Sequence, residues 1–251
     1  WVHAREGKKL GDFEAEIAQR ADASLFVSEA EAKLFRERSG ANNIAALGNG
    51  IDTLFYDPAT KFKKLHPVFP DPLIVFTGQM DYRPNIEAVS DFARNALPAI
   101  REAHPETTFA IVGRNPTAAV LELSALPGVQ VTGAVDDVRT WLSGADVVVA
   151  PLRIARGIQN KVLEAMAMGK AVVTTPAAVT GLRLRPGEDV LLAADPEGMA
   201  RAVARVLEPR FARSIGEKAR ARVVADYSWA PSLRLLDELI MPAPARVRPR
   251  R

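Results

Sequence analysis

The stretch "DVVVAPLRIARGIQNKVLEAMAMGKAVVTT", residues 146–175, contains the whole architectural pattern of the chain in one pass. An apolar run, Val147 to Ala150, stops at Pro151. Such a short run closed by a breaker reads as a buried strand. Its hydrophobicity is continuous rather than alternating, so both faces are expected to be covered, as in a parallel sheet. A loop with Arg153 and Arg156 follows. A helix is expected to open near Gly157, and "AVVTT" supplies the next strand. A parallel neighbour needs such a crossover helix, so strand, helix and strand in this order point to an α/β fold.

The same alternation recurs outward in both directions. "LIVFTG" (73–78), "TFAIVG" (108–113), "VQVTG" (129–133) and "DVLLA" (189–193) read as further strands. "NIEAVSDFARNALPAIREAH" (85–104) carries Ile86, Val89, Ala93, Leu97 and Ile100 at helical spacing, and Pro98 is expected to kink or split it. "TAAVLELSAL", "DDVRTWLSGA", "PEGMARAVARVL" and "RFARSIGEKARARVVADY" read as helices. The fold class is therefore α/β, a Rossmann-like doubly wound parallel sheet. Upstream, "LGDFEAEIAQRADASLFVSEAEAKLFRERSG" (10–40) reads as helix, short strand and helix, with Ser28 and Glu31 spaced as a capping box. The division expected is 1–50 as the remnant of a preceding domain with its crossover, 51–226 as the main domain, 227–241 as a terminal helix and 242–251 as a disordered basic tail. "PAPARVRPRR" has the Pro- and Arg-rich composition of a solvated end.

Composition removes several kinds of chemistry. The 251 residues are 48% hydrophobic and 25% charged, ordinary for a globular chain. The absence of cysteine excludes disulfides and thiolate sites. Three histidines, His3, His66 and His104, lie far apart in sequence, so an imidazole metal cluster is not expected. A net charge of +3 does not describe a nucleic-acid-binding surface. No apolar run reaches the roughly 18 residues of a membrane span, and no signal peptide is visible. The chain opens on Trp1 rather than Met, as a processed or truncated product would. G-x-G-x-x-G, G-x-x-x-x-G-K-S/T and G-x-S-x-G patterns are all missing from the expected turns.

Ligands of open α/β sheets bind beyond the carboxyl ends of the strands. Gly78, Gly113, Gly133 and Pro151 mark four such ends, although glycines also simply terminate strands. A helix N-terminus near Gly157 suits an anion, and Arg153, Arg156 and Lys161 surround it. The plain alternative is that these cations are solvated. At roughly 100° per residue Asn160, Lys161 and Glu164 share one face of that helix, opposite Val162 and Met166. A carboxylate there can accept both hydrogen bonds of a vicinal diol such as a ribose. An exposed Lys161–Glu164 pair, worth a few tenths of a kcal/mol, is the competing reading.

These residues resemble a known family. "KVLEAMAMGKAVVTT", then "GLRLRPGEDVLLAADPEGMARAVARVLEP" and "FTGQMDYRPNIEAVSDFARNALPAIREAHPETTFAIVG", are similar to the donor-binding half of a glycosyltransferase of family 4 with the GT-B fold. "VSEAEAKLF", "NGID" and "YSWAPSLRLLDELI" resemble the end of the first half, the crossover and the returning helix. The likeness runs from Asp12 to Ile240 and is greatest to bacterial exopolysaccharide-associated sugar transferases.

The resemblance implies transfer of a sugar from a nucleoside-diphosphate-sugar to the hydroxyl of a sugar or lipid-linked acceptor. It also implies retention, no metal, and no cofactor beyond the donor substrate. The candidate donor-binding residues are Gly78, Arg83, Arg114, Arg153, Arg156, Gly157, Asn160, Lys161 and Glu164, with Glu164 on the ribose. Catalytic residues are not assigned. Two departures stand out. Arg156 occupies the place of a glutamate that meets the donor sugar, and Gln79 and Pro84 replace the Arg and Lys of the usual diphosphate clamp. Arg153, Arg156 or Lys161 is expected to substitute for that clamp.

A GT-B enzyme has two facing domains, roughly 400 residues together. A missing N-terminal domain of the same protein is thus an expected partner, and this stretch alone is expected to bind donor without transferring. A non-catalytic nucleotide-sugar-binding domain is the alternative reading. A GT-B epimerase would need acid/base residues not found here. The expected setting is cytoplasmic, with the Arg246–Arg251 tail able to touch the inner membrane face.

Overall fold

The computed structural model describes residues 2–63, 65, 72–155 and 157–241. By contact the chain divides into two compact units, 1–50 with 227–251, and 51–226. Among the described residues no helix is long and apolar enough to cross a membrane.

The first unit contains α1 (Val2–Arg20), β1 (Ser24–Phe26), α2 (Glu29–Ser39) and β2 (Ile44–Ala46). The two strands pair in parallel, Ser24 opposite Ile44. Ser28 caps α2 by accepting from the Glu31 N–H at 3.3 Å, the reading its spacing suggested. Gly40 closes the helix in the left-handed conformation. The Asn43 amide donates to the carbonyls of Ala18 and Ala21 at 2.8 and 2.6 Å, which satisfies the frayed end of α1. Ala18, Ala32, Ala41 and Ile44 form a small core.

The second unit is a six-stranded, wholly parallel sheet: β3 (Leu73–Thr77), β4 (Thr108–Val112), β5 (Val129–Gly133), β6 (Val147–Ala150), β7 (Val172–Thr174) and β8 (Leu191–Leu192). Their spatial order is β5-β4-β3-β6-β7-β8. Counted from the first strand of the unit this is the doubly wound 3-2-1-4-5-6 order, whose direction reverses between β3 and β6. Every residue of β3, β4, β6 and β7 is buried, as their continuous apolar runs predict. The helices are α3 (Arg83–Asp91), α4 (Leu97–Ala103), α5 (Ala118–Leu121), α6 (Val138–Gly144), α7 (Asn160–Ala167), α8 (Pro196–Val206) and α9 (Pro209–Asp226). The terminal helix α10 (Trp229–Ile240) belongs to the first unit. Phe92 and Phe109 anchor the sheet–helix core with ring centroids 4.6 Å apart.

Two local expectations gain detail, and the second of them changes. The helix is divided just before Pro98, as expected, and the form of the break is the finding. A π turn, Phe92–Ala96, joins α3 to α4, and the Leu97 N–H donates to the Phe92 carbonyl. One wider turn before Pro98 absorbs the ring and its missing donor. The helix expected to open at Gly157 opens instead at Asn160, because Gly157 is left-handed (φ 66) and Gln159 is extended.

At the carboxyl edge the ends of β3 and β4 touch backbone to backbone. A Cβ on Gly113 would sit 1.6 Å from the Gly78 carbonyl oxygen. A main-chain atom cannot swing aside as a side chain can. Gly113→Ala is therefore expected to lower stability by about 1–3 kcal/mol, as overpacking does. Urea unfolding of the variant beside the parent chain measures this, and an unchanged midpoint would contradict it.

Candidate functional site

The reversal of strand order leaves a notch at the carboxyl edge, and the glycine-marked strand ends keep it open. It is a cavity of about 410 Å³ lined by Thr77, Gly78, Val112, Gly113, Arg114, Ala134, Val135, Val138, Lys161 and Glu164. Val112, Ala134, Val135 and Val138 give the lining its apolar part, and Arg114, Lys161 and Glu164 give it its charge. Thr77 is 4% exposed, and its Oγ1 has no hydrogen-bond partner.

Lys161 is not half of an exposed ion pair. It stands on the second position of α7, and its Nζ donates to Asn85 Oδ1 at 2.6 Å. The ammonium also lies 4.1 Å from the centroid of the Phe76 ring, a cation–π contact. Gly78 makes this possible. A Cβ there would meet Asn85 Nδ2 at 2.8 Å and Lys161 Nζ at 2.9 Å. Asn85 is 5% exposed and in turn donates to the Gln79 carbonyl at 2.9 Å. Burial lowers the Lys161 pKa to about 7, against the pull of Glu164 in the other direction.

Glu164 is perturbed the opposite way. Burial raises its pKa, while the Tyr56 hydroxyl, a hydrogen-bond partner, and Lys161 lower it. The Tyr56 phenol is itself pushed upward, by burial first and by Glu164 second. Its loop is held from two sides. Arg139 lies 3.7 Å from the Phe55 ring centroid, donates to the Phe55 carbonyl at 3.0 Å, and is gripped by Asp137 at 2.7 Å. Arg220 donates to the Tyr56 carbonyl at 3.0 Å and also reaches the Ala167 carbonyl. Asp137 caps α6, accepting from the Arg139 N–H. Two ionisable groups on one helix, both driven toward neutrality, mark a place where charge is poised for a partner.

Of the residues singled out from the sequence, Gly78, Arg114, Lys161 and Glu164 meet in this cavity. Arg114 donates to Gln79 Oε1 at 3.1 Å on its rim. Others do not join them. Arg83 is exposed and paired with Glu87 at 2.7 Å, one turn along its own helix. Arg153 is paired with Asp91 at 2.9 Å and lines a separate small cleft with Thr175 and Asp195. Asn160 and Gly157 are exposed and line neither space. Arg156 lies outside the described residues, as do His66 and the tail 242–251. Of the described cations expected around the helix start, the cavity receives Lys161 and not Arg153; its second cation, Arg114, comes from the loop after β4. Among the described residues no three His, Cys, Asp or Glu side chains gather as a metal site requires.

Asn85, Tyr56 and Thr77 were not anticipated. Asn85 carried a usable signal, since Asn85, Ala88 and Val89 share the buried stripe of α3. A polar side chain there must find buried partners. Tyr56 carried none, because its partner lies more than a hundred positions away.

Comparison with known proteins places the chain in a family. The sequence model described as "Glycosyl transferases group 1" matches residues 71–209, more than half of the chain. The glycogen synthase of Mycobacterium tuberculosis is 25% identical over 242 residues, covering 91% of this chain and 56% of that protein. The chain thus spans little more than half the length of that curated relative. Among solved structures, a glycosyltransferase from Rickettsia africae aligns with a TM-score of 0.75 at 17% identity, over 94% of this chain and 68% of that one. HepE from Anabaena, solved in complex with UDP and glucose, aligns at 0.68 and 16%, over 91% and 65%. At such identities these two show the shared GT-B fold alone. The family model, matched from the start of β3 to beyond α8, carries the assignment: this chain belongs to the group 1 glycosyl transferases.

Proposed function

We propose that the cavity holds the nucleoside-diphosphate part of a sugar donor, and that the chain is the donor-binding half of a retaining, family 4 type transferase. The observation that carries this reading is the half-buried pair on α7. Lys161 and Glu164 line one 410 Å³ cavity at the carboxyl edge of the sheet, together with four apolar residues. That combination suits a ligand with an anion, a diol and a flat base. On this reading Glu164 accepts from the ribose hydroxyls, and Lys161 and Arg114 meet the diphosphate. The apolar lining of Val112, Ala134, Val135 and Val138 faces the base. HepE, which shares the fold, was solved with UDP and glucose. As the bond between the anomeric carbon and the phosphate oxygen breaks, charge collects on the leaving diphosphate. Cations already in place stabilise it without reorganising.

The acceptor hydroxyl, of a sugar or a lipid-linked chain, would come from the facing N-terminal domain, and the pathway would be bacterial exopolysaccharide assembly. Neither a metal nor a further cofactor enters this scheme. Arg156, standing where the resemblance places a glutamate, favours a second reading, a binding domain without catalysis. Labelled-sugar transfer by the longer parent protein separates the two.

Three outcomes follow. Glu164→Gln is expected to weaken nucleotide binding by about 1–3 kcal/mol, since a charged acceptor becomes a mixed donor–acceptor. Stability should stay level or rise, because a desolvated carboxyl is removed. One titration and one thermal melt check both, and wild-type affinity would end the ribose assignment. Lys161→Ala and Arg114→Ala should weaken nucleoside diphosphates by about 1.5–3 kcal/mol each. The bare nucleoside should lose much less, so calorimetry showing equal losses for both ligands would remove these side chains from the phosphates. Finally, the 251-residue chain should bind nucleotide and transfer no sugar, and sustained turnover of a labelled donor would refute the division of labour.

A further inference from the structure

Lys161 is held where an ammonium is hard to maintain without an anion. Its acceptor, Asn85 Oδ1, is neutral, and Phe76 covers it from β3. The charged and titratable groups around it are few. Glu164 acts from the same helix. Tyr56 meets Glu164 from the 52–57 loop, itself under Asp137 and Arg139 of the α6 region. Arg114, of like sign, lines the same cavity from the β4 end. From α9, Arg220 meets α7 at its far end, the Ala167 carbonyl, and otherwise holds the Tyr56 carbonyl and Asp57 of the 52–57 loop. β3 and α3 present neutral groups to the amine, namely Phe76, Gly78 and Asn85.

We propose that filling this cavity with a nucleoside-diphosphate-sugar is coupled to the uptake of a proton by Lys161, so that the site holds its donor more tightly as pH falls. The proposal deepens the donor-site reading above and rests on it. In the empty site burial leaves the amine with a pKa of about 7, so near neutrality a large share of it is uncharged. Phosphate oxygens brought beside Nζ favour the ammonium and raise that pKa. Below the empty-site pKa both states are charged, and affinity is flat. Between the empty and filled values affinity falls with rising pH, by up to about tenfold per pH unit. Glu164 works with the opposite sign. Burial raises its pKa, and a diol favours its carboxylate, so it would release a proton and strengthen binding as pH rises. Net uptake therefore points to Lys161, and net release points to Glu164.

The test is calorimetry on the chain with UDP-glucose, GDP-glucose and ADP-glucose, followed through with the tightest binder from pH 6.0 to 8.5. None of these donors titrates in that range, so exchanged protons belong to the protein. Two buffers of different ionisation enthalpy at pH 7.5 give the number exchanged, expected to be more than half a proton taken up. Dissociation constants should rise steadily above pH 7. Lys161→Arg keeps the charge at all these pH values, so whatever affinity it retains should no longer fall as pH rises, and the proton uptake should be lost, leaving at most the release from Glu164. Asn85→Asp sets a carboxylate against Nζ and should move the falling limb to higher pH with less uptake at pH 7.5. Binding that is flat with pH and exchanges no protons, or that releases them, overturns the coupling and leaves the donor site standing. Failure of all three donors to bind at any pH overturns the donor site and the coupling together.

Discussion

The carbonyl oxygen of Gly78 stands where a side chain on residue 113 would have to begin. This contact between two strand ends sets the floor of the notch. It holds the β3 and β4 termini at main-chain distance and keeps the space above them free of Cβ atoms. The hydrogen bond from the Gly78 N–H to the Val112 carbonyl at 3.0 Å, and that from the Gly113 N–H to the Gly133 carbonyl at 3.2 Å, carry the pairing to the end of the strands. Gly78 then serves a second purpose, leaving room for Asn85 and the Lys161 ammonium to meet.

The electrostatics of the site follow from that geometry. An amine and a carboxyl are each desolvated, with neutral partners taking most of their hydrogen bonds. Such a pair contributes little to stability unless something compensates the lost hydration. The structure supplies partial compensation: an amide oxygen and an aromatic face for Lys161, a phenol for Glu164. The remainder is available to a ligand. Surface pairs such as Arg83–Glu87, by contrast, are already solvated and reserve nothing.

The sheet was readable because its physics is local to each strand. A strand buried on both faces must be apolar throughout, and "LIVFTG", "TFAIVG" and "DVVVAP" could be little else. The site was readable only in part. The spacing of Lys161 and Glu164 gives their adjacency, but exposure depends on what packs over them, so a surface pair and a buried pocket were equally consistent. Arg153 has the same charge and lies closer to the anticipated helix start, yet Asp91 on α3 holds it at another cleft. The left-handed Gly157 delayed the helix by three residues, a choice that a glycine permits without announcing. Asn85 was hidden in a helix whose periodicity was read for its apolar members alone.

The grip on the Tyr56 loop has a consequence for how the unit is assembled in time. Arg220 holds the Tyr56 carbonyl across 164 positions. Closing a loop of that length costs about 4.5 kcal/mol of chain entropy by the logarithmic rule, far more than one hydrogen bond returns. The closure is therefore underwritten by the docking of α9 against α7 and the turn that follows it, where Gly216 meets the Gly169 carbonyl too closely for any Cβ. Arg220 rides on that contact. Of the two holds on the loop that carries the phenol, the one from Arg139 spans 84 positions and the one from Arg220 spans 164, so the second is supplied by a helix that follows all six strands in the chain.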